Sequence, residues 1–184
     1  MNIIILMMKN DSNFKEDLKK VEAFAFDVDG VFTNGKVYLF STEEFVRAMN
    51  IKDGYAVQYA VKKGFPIAII SGGDAETVRK RFQKLGVTDI YLKSSDKMDD
   101  LKDFYFKYDI DPNNILYMGD DIPDHEVMKE CGIPTCPADA AVEIKAISKY
   151  ISNFNGGEGC VRDVIEQVLR LKGKWMDEEQ ASTW

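Results

Sequence analysis

Four short stretches of the chain carry residues that can do chemistry. The first is Asp27-Val28-Asp29-Gly30, which follows the apolar run Ala23–Phe26. A short apolar run bounded by glycine reads as a buried strand. Residues two apart on a strand point to the same side, so Asp27 and Asp29 project near each other where the strand ends. Two carboxylates there repel, and burying them without a cation is costly. Mg²⁺ suits such a place, because it is usually held by one or two carboxylates plus a substrate phosphate. The competing reading is a plain turn, since Asp-Gly is a common turn dipeptide.

The other three stretches have the same double character. Ser71-Gly72-Gly73 follows an isoleucine-rich run. A hydroxyl and free N–H groups at a helix start bind phosphate oxygens, and glycine permits close approach; an ordinary strand–helix turn has the same composition. Lys97 stands at an expected helix start, where it either neutralises a phosphate or is a solvated surface lysine. Gly119-Asp120-Asp121, with Asp124 one helical turn on, places three carboxylates within five residues. That is a metal-binding candidate, or else a turn plus a helix cap. The lone His125 reads as an exposed helix residue rather than a base.

The elements that must position these residues alternate along the chain. Strands are expected at Glu22–Val28, Pro66–Ile70, Asp89–Leu92, Ile115–Met118 and Ile133–Cys136, with a last one at Tyr150 and Ile151. Between them, helical spacing predicts Tyr55–Lys63, a helix capped by Asp74 and stopped by Gly86, Asp96–Tyr108, Pro123–Cys131, Ala140–Ala146 and Val161–Leu171. Lys36–Phe40 and Phe45–Asn50 alternate apolar and polar residues around the connector Ser41-Thr42-Glu43-Glu44, which reads as a β-hairpin. Strand–helix alternation means an α/β fold with a parallel sheet covered on both faces, three layers in all. Such sheets place their sites beyond the carboxyl ends of the strands, at the switch point, and all four stretches fall there.

With 184 residues, 45% of them hydrophobic, the chain builds one domain with a real core. That domain is expected at residues 21–174, with the hairpin at about 31–50, a leader over 1–20 and a polar tail over 175–184. A net charge of −7 excludes a general nucleic-acid binder but not an anionic substrate, since a local site can differ from the net field. The three cysteines, Cys131, Cys136 and Cys160, have no metal-binding spacing and fit reduced thiols in a cytoplasmic protein. The apolar run Ile3–Met8 is too short to span a bilayer and lacks the basic flank of a signal peptide, so no membrane partner is expected.

In chain order the motifs are Asp-x-Asp-Gly, apolar-Ser-Gly, Lys, and Gly-Asp-Asp-x-x-Asp, spanning Asp27 to Asp124. This combination resembles the haloacid dehalogenase superfamily of phosphotransferases. Asp27 to Gly35, the hairpin in place of a large cap, Ile51-Lys52-Asp53-Gly54 and Gly156-Gly157-Glu158-Gly159 with Val161-Arg162 are similar to the 3-deoxy-D-manno-octulosonate 8-phosphate phosphatases. That resemblance covers about Glu22 to Lys174. It implies a Rossmann-like core with a small β-hairpin flap, in homotetramers whose subunits cover each other's sites. The implied activity is Mg²⁺-dependent phosphate release from a sugar-acid phosphate in lipopolysaccharide precursor synthesis.

The resemblance implies roles as well. Asp27 is the nucleophile, and Asp29 the acid and then the base. Mg²⁺ lies between the Asp27 carboxylate, the Asp29 main-chain carbonyl and Asp120. Ser71, Gly72 and Lys97 hold the phosphate. Asp121 or Asp124 supports the metal or orients Lys97, while Thr33, Lys52, Asp53 and Arg162 face the substrate, Arg162 across a subunit interface. Asn34 and Asp74 depart from the family pattern, where Asp and a nearby arginine are frequent, so a nine-carbon acid 9-phosphate is an alternative substrate. A phospho-accepting receiver domain is the alternative from another class, but there the middle strand ends in Asp and here it ends in Ser71. A sugar-phosphate binder without catalysis is a third, and it has no need of Asp29.

Overall fold

The computed structural model describes residues 14–39 and 45–176. Its sheet is built from strands whose side chains alternate between two cores. In β1 (Ala23–Phe26), Phe24 and Phe26 face one core while Ala23 and Ala25 face the other. The same holds for β4 (Ile67–Ile70) and β6 (Ile115–Met118): Ile67, Ile69, Leu116 and Met118 on one side, Ala68, Ile70, Ile115 and Tyr117 on the other. All four residues of each strand are buried, as a parallel strand covered on both faces requires.

β5 (Asp89–Tyr91), β7 (Ile133–Cys136) and β8 (Tyr150–Ile151) complete a parallel sheet of order β5-β4-β1-β6-β7-β8. One face carries α1 (residues 14–20), α2 (Ile51–Lys62), α3 (Glu76–Lys84) and α7 (Cys160–Leu171). The other carries α4 (Lys97–Tyr108), α5 (His125–Glu130) and α6 (Val142–Ile147). The expected Rossmann-like three-layer fold is the observed one. β1 pairs with β4 on one edge and β6 on the other, so the sheet's switch point lies at its carboxyl end.

The flap is a two-stranded antiparallel hairpin, β2 (Tyr38–Leu39) and β3 (Phe45–Val46), paired Tyr38 to Val46 and Leu39 to Phe45. It is shorter than the alternation predicts, because the ladder ends at Val46 and Arg47 turns to bond Asp29. The connector Ser41-Thr42-Glu43-Glu44 lies outside the described residues.

Several expected boundaries move for identifiable reasons. Residues 14–20 are not a loose leader: Phe14 and Leu18 of α1 enter the core, Phe14 stacks on Tyr150 at 4.7 Å, and Asp17 accepts from Lys149 at 2.9 Å. The domain therefore begins before residue 21. α2 starts at Ile51 because the Asn50 side chain caps the Lys52 N–H at 2.8 Å, which puts Lys52, Asp53 and Gly54 in its first turn. Asp74 does not cap α3; Ala75 occupies that position, and Asp74 pairs with Lys93 at 2.7 Å on the surface. Trp175, placed in the tail by its sequence, packs back 5.1 Å from the Tyr59 ring with the Arg162 and Arg170 guanidiniums over it.

Candidate active site

Strand ends bring the expected residues together. Asp27 follows β1, Ser71 follows β4 and Asp120 lies just beyond β6, so neighbouring strands deliver all three to one end of the sheet. They line an open cleft of about 600 Å³ with Asp29, Gly72, Lys97, Asp121 and Asp124. Two glycines make the approach possible. A Cβ on Gly30, whose φ is +88°, would lie 1.9 Å from the Asp120 carboxylate, and one on Gly119 would lie 2.5 Å from the Asp124 Cβ.

Lys97 is the first residue of α4, whose N-cap Asp96 accepts from the Met98 N–H at 2.8 Å. Its ammonium donates to Asp27 Oδ1 at 2.8 Å and to Asp124 Oδ1 at 2.7 Å. Asp124 is fixed further by the Tyr117 hydroxyl at 2.8 Å and by the Asp120 N–H at 3.3 Å. Carboxylate oxygens of Asp27, Asp120 and Asp124 all lie within 4.8 Å of one another, a spacing that can hold a metal ion. Asp124 thus joins the acidic group directly, where its sequence position left its role undivided from that of Asp121. Asp121 is exposed at the cleft wall.

The electrostatics favour a cation. Burial first, then the Asp124 charge, raise the Asp27 pKa to about 7 in spite of Lys97. Burial and the charges of Asp124 and Asp121 raise Asp120 to about 7 as well. Burial also works against the Lys97 charge, but Asp27 and Asp124 outweigh it and its pKa is raised. One ammonium against three carboxylates leaves a surplus of negative charge that a divalent cation would offset.

Ser71 is buried, and its Oγ accepts from the Gly73 N–H at 3.1 Å beside the open face of the cleft. Asp29 stands at the cleft mouth and does not join the acidic group through its side chain. Arg47 Nε donates to Asp29 Oδ1 at 2.6 Å and Arg47 Nη2 to Oδ2 at 3.1 Å. The sequence offered no signal for Arg47, which stood as one polar residue in an alternating strand. Nor did it for Tyr117, whose apolar strand reads as core.

Four expected substrate residues do not line the cleft in their own subunit. Thr33 is fully buried, and its Oγ1 accepts from the Gly30 and Gly35 N–H groups at 3.2 Å each, so it shapes the loop after β1. The Lys52 side chain is exposed on α2. Asp53 is completely buried and accepts from the Arg162 backbone N–H at 2.8 Å, tying α2 to the start of α7. Burial raises its pKa to about 6 despite that bond. The Arg162 side chain pairs with Glu166 at 3.1 Å and lies over the Trp175 ring. The Gly156-Gly157 segment, however, touches the site from behind. The Gly157 N–H bonds the Val31 carbonyl at 2.9 Å, and a Cβ on Gly156 would lie 1.9 Å from the Gly30 oxygen. These glycines serve close approach.

Residues 82–165 match the family described as haloacid dehalogenase-like hydrolase. The chain is 33% identical over 165 residues to the 3-deoxy-D-manno-octulosonate 8-phosphate phosphatase KdsC of Escherichia coli strain K12, covering 90% of this chain and 87% of that one. Its namesake from Yersinia pestis is 32% identical over 148 residues, covering 80% and 79% of the two chains. Among solved structures, the Moraxella catarrhalis 3-deoxy-D-manno-octulosonate 8-phosphate phosphatase, in complex with a magnesium ion, a phosphate ion and a KDO molecule, superposes with a TM-score of 0.84. It is 30% identical, with 88% of this chain and 92% of that one covered. The chain belongs to the haloacid dehalogenase-like hydrolases and, within them, to the 3-deoxy-D-manno-octulosonate 8-phosphate phosphatase family, and it is an enzyme of the phosphomonoesterase class.

Proposed function

We propose that this enzyme hydrolyses 3-deoxy-D-manno-octulosonate 8-phosphate through an aspartyl-phosphate on Asp27. The observation that carries this is the junction of Asp27 with Lys97, Asp120 and Asp124 at the switch point, in a chain whose relatives bear that activity in their names. In the first step an Asp27 oxygen bonds phosphorus, the bond to the sugar oxygen breaks, and Asp29 gives that oxygen a proton. In the second, water attacks phosphorus, Asp29 takes the water's proton, and the bond to Asp27 breaks. Lys97, the Ser71 hydroxyl and the backbone at Gly72 stabilise the phosphoryl oxygens as charge shifts. Asp27, Asp120 and the Asp29 main-chain carbonyl, with Asp124 beside them, would hold Mg²⁺, which would supply the positive charge that lets an anionic nucleophile meet an anionic phosphate.

Asp29→Asn should slow hydrolysis of the sugar phosphate by ~10²–10⁴-fold, the usual range of acid–base catalysis. p-Nitrophenyl phosphate, whose leaving group needs little protonation, should lose far less. Equal losses on both substrates in steady-state assays would remove Asp29 from the acid role. A screen of eight- and nine-carbon sugar-acid phosphates should give the highest kcat/KM with the eight-carbon 8-phosphate; a preference for the 9-phosphate would reassign the substrate.

Raised carboxylate pKa values make metal binding visible in stability. Between about pH 4 and 7 the folded, metal-free protein keeps protons on Asp27 and Asp120 that the unfolded chain, at the ordinary 3.8, has released. Its stability should therefore fall as pH rises through that window. Adding Mg²⁺ should raise Tm by several degrees at pH 8 and by little at pH 5.5. An equal rise at both pH values would contradict the acidic group as the metal site.

The same reading includes a cytoplasmic homotetramer with shared sites. Three free, buried cysteines support a reducing compartment. Val37, Tyr38, Leu39, Val46 and Ile51 are exposed along the flap and the α2 start, and a second copy would cover them. Arg162, which does not line its own cleft, would then serve a neighbour's. Sedimentation should give a tetramer, and mixed Asp27→Asn and Arg162→Ala subunits should regain sugar-phosphate activity. A monomer, or no regain in verified hybrids, would end the shared-site reading.

A further inference from the structure

The phosphatase reading leaves the Arg47–Asp29 pair without a role. Arg47 leaves the flap directly after β3, and its side chain is only 11% exposed. Two of its donors, Nε and Nη2, meet the two oxygens of Asp29 as a fork, at 2.6 and 3.1 Å. A planar guanidinium is selective for flat two-oxygen anions, and a partly desolvated one is held only where such a partner is present. The fork engages both oxygens of Asp29, so the carboxyl has to share or give up a bond to Arg47 when it meets a leaving group in the cleft it lines. Drawing Arg47 away would leave Asp29 free to act on that group.

The surroundings permit that movement. Beside the pair stands Gly73, at which a Cβ would lie 3.4 Å from both Arg47 Nη2 and Asp29 Oδ2 and 3.3 Å from Ser71 Oγ. The absent side chain leaves the pair against the phosphate-binding serine. On its other side Arg47 lines a groove of about 200 Å³ with Thr77, Val78 and Arg81, which gives the guanidinium room to turn. Exchanging one carboxylate for another in the same fork is nearly balanced in energy, so a carboxylate on the substrate can draw the arginine off Asp29.

We propose that Arg47 is a specificity-determining residue that trades Asp29 for a carboxylate of the substrate, so that phosphomonoesters carrying such a second anion free Asp29 for the leaving oxygen. This rests on the phosphatase reading and on Asp29 as its acid. It predicts opposite effects of one substitution. Arg47→Ala should raise KM for 3-deoxy-D-manno-octulosonate 8-phosphate roughly ten- to hundredfold, the worth of a lost bond between charged groups. The same variant should raise kcat for a neutral sugar phosphate, ribose 5-phosphate, by several-fold, because Asp29 is no longer held. Arg47→Lys, which keeps the charge and loses the fork, should fall between wild type and Arg47→Ala on both substrates. In an Asp29→Asn background the gain with ribose 5-phosphate should vanish.

Steady-state kinetics of the five Mg²⁺-loaded proteins, wild type, Arg47→Ala, Arg47→Lys, Asp29→Asn and the Asp29→Asn/Arg47→Ala double variant, on both substrates decide it. Parallel losses on the two substrates would overturn the proposal and make Arg47 a structural or phosphate-binding group. An unaltered preference between the substrates would overturn it equally. Neither outcome touches the phosphatase reading, which fails only if the wild-type enzyme releases no phosphate from the sugar-acid phosphate.

Discussion

Asp27→Asn should lower multiple-turnover phosphate release by at least ~10³-fold while the fold stays intact. The amide has nearly the shape of the carboxyl, so β1 and its neighbours need not move. What it loses is the anionic oxygen that, in the proposed mechanism, bonds phosphorus. The environment sharpens the expectation. Asp27 is buried, and holding it ionised is costly enough to raise its pKa to about 7. A neutral amide removes that cost, so at pH 8 the metal-free variant should melt higher than metal-free wild type. At pH 5, where Asp27 keeps its proton in the folded protein, the two should melt closer together. Loss of rate with a gain in Tm marks a functional group that works against stability. A variant retaining a tenth of wild-type activity would exclude Asp27 as the nucleophile, and a lower Tm at pH 8 would show that the side chain is structural.

Lys97→Met should damage both stability and turnover. Lys97 is the ammonium between Asp27 and Asp124, at 2.8 and 2.7 Å, and methionine keeps most of its stem. Without it, the carboxylates of Asp27, Asp120 and Asp124 face one another uncompensated. Removing one partner of a buried ion pair costs roughly 3–5 kcal/mol. Here the loss is smaller below pH 7, because Asp27 and Asp120 can take up protons in its place. The stability deficit should therefore grow as pH rises from 6 to 8. Turnover should drop by ~10²–10³-fold if, as proposed, the ammonium also meets the phosphoryl charge in the transition state. Circular-dichroism melts at the two pH values, with phosphate-release assays beside them, measure both. A wild-type rate and a pH-independent Tm in Lys97→Met would place Lys97 outside the site.

The core of this fold was legible because its signals are local. Ile115–Met118 is a four-residue apolar run and Ile133–Cys136 a short mostly apolar one, each between turn residues, and both form strands with those bounds. Asp27, Ser71, Lys97 and Asp120 stand at strand ends or helix starts, so recognising the elements placed them together. What stayed hidden depends on contacts distant in sequence. Residues 14–20 look like any polar-apolar leader until Phe14 meets Tyr150, and Trp175 looks like tail until it meets Tyr59. The family resemblance implies a substrate contact for Asp53, yet the fold turns it inward to the Arg162 N–H. Arg47 was invisible for the same reason: its partner is 18 residues away across the mouth of a cleft.

The central claim is that Asp27 is phosphorylated and dephosphorylated in a continuing cycle. The most direct measurement is the count of phosphate released per subunit from 3-deoxy-D-manno-octulosonate 8-phosphate with Mg²⁺, followed over time. The account predicts many equivalents at constant rate, stopped by EDTA and restored by Mg²⁺. A burst that ends at one equivalent per subunit, or undiminished release in excess EDTA, would contradict it.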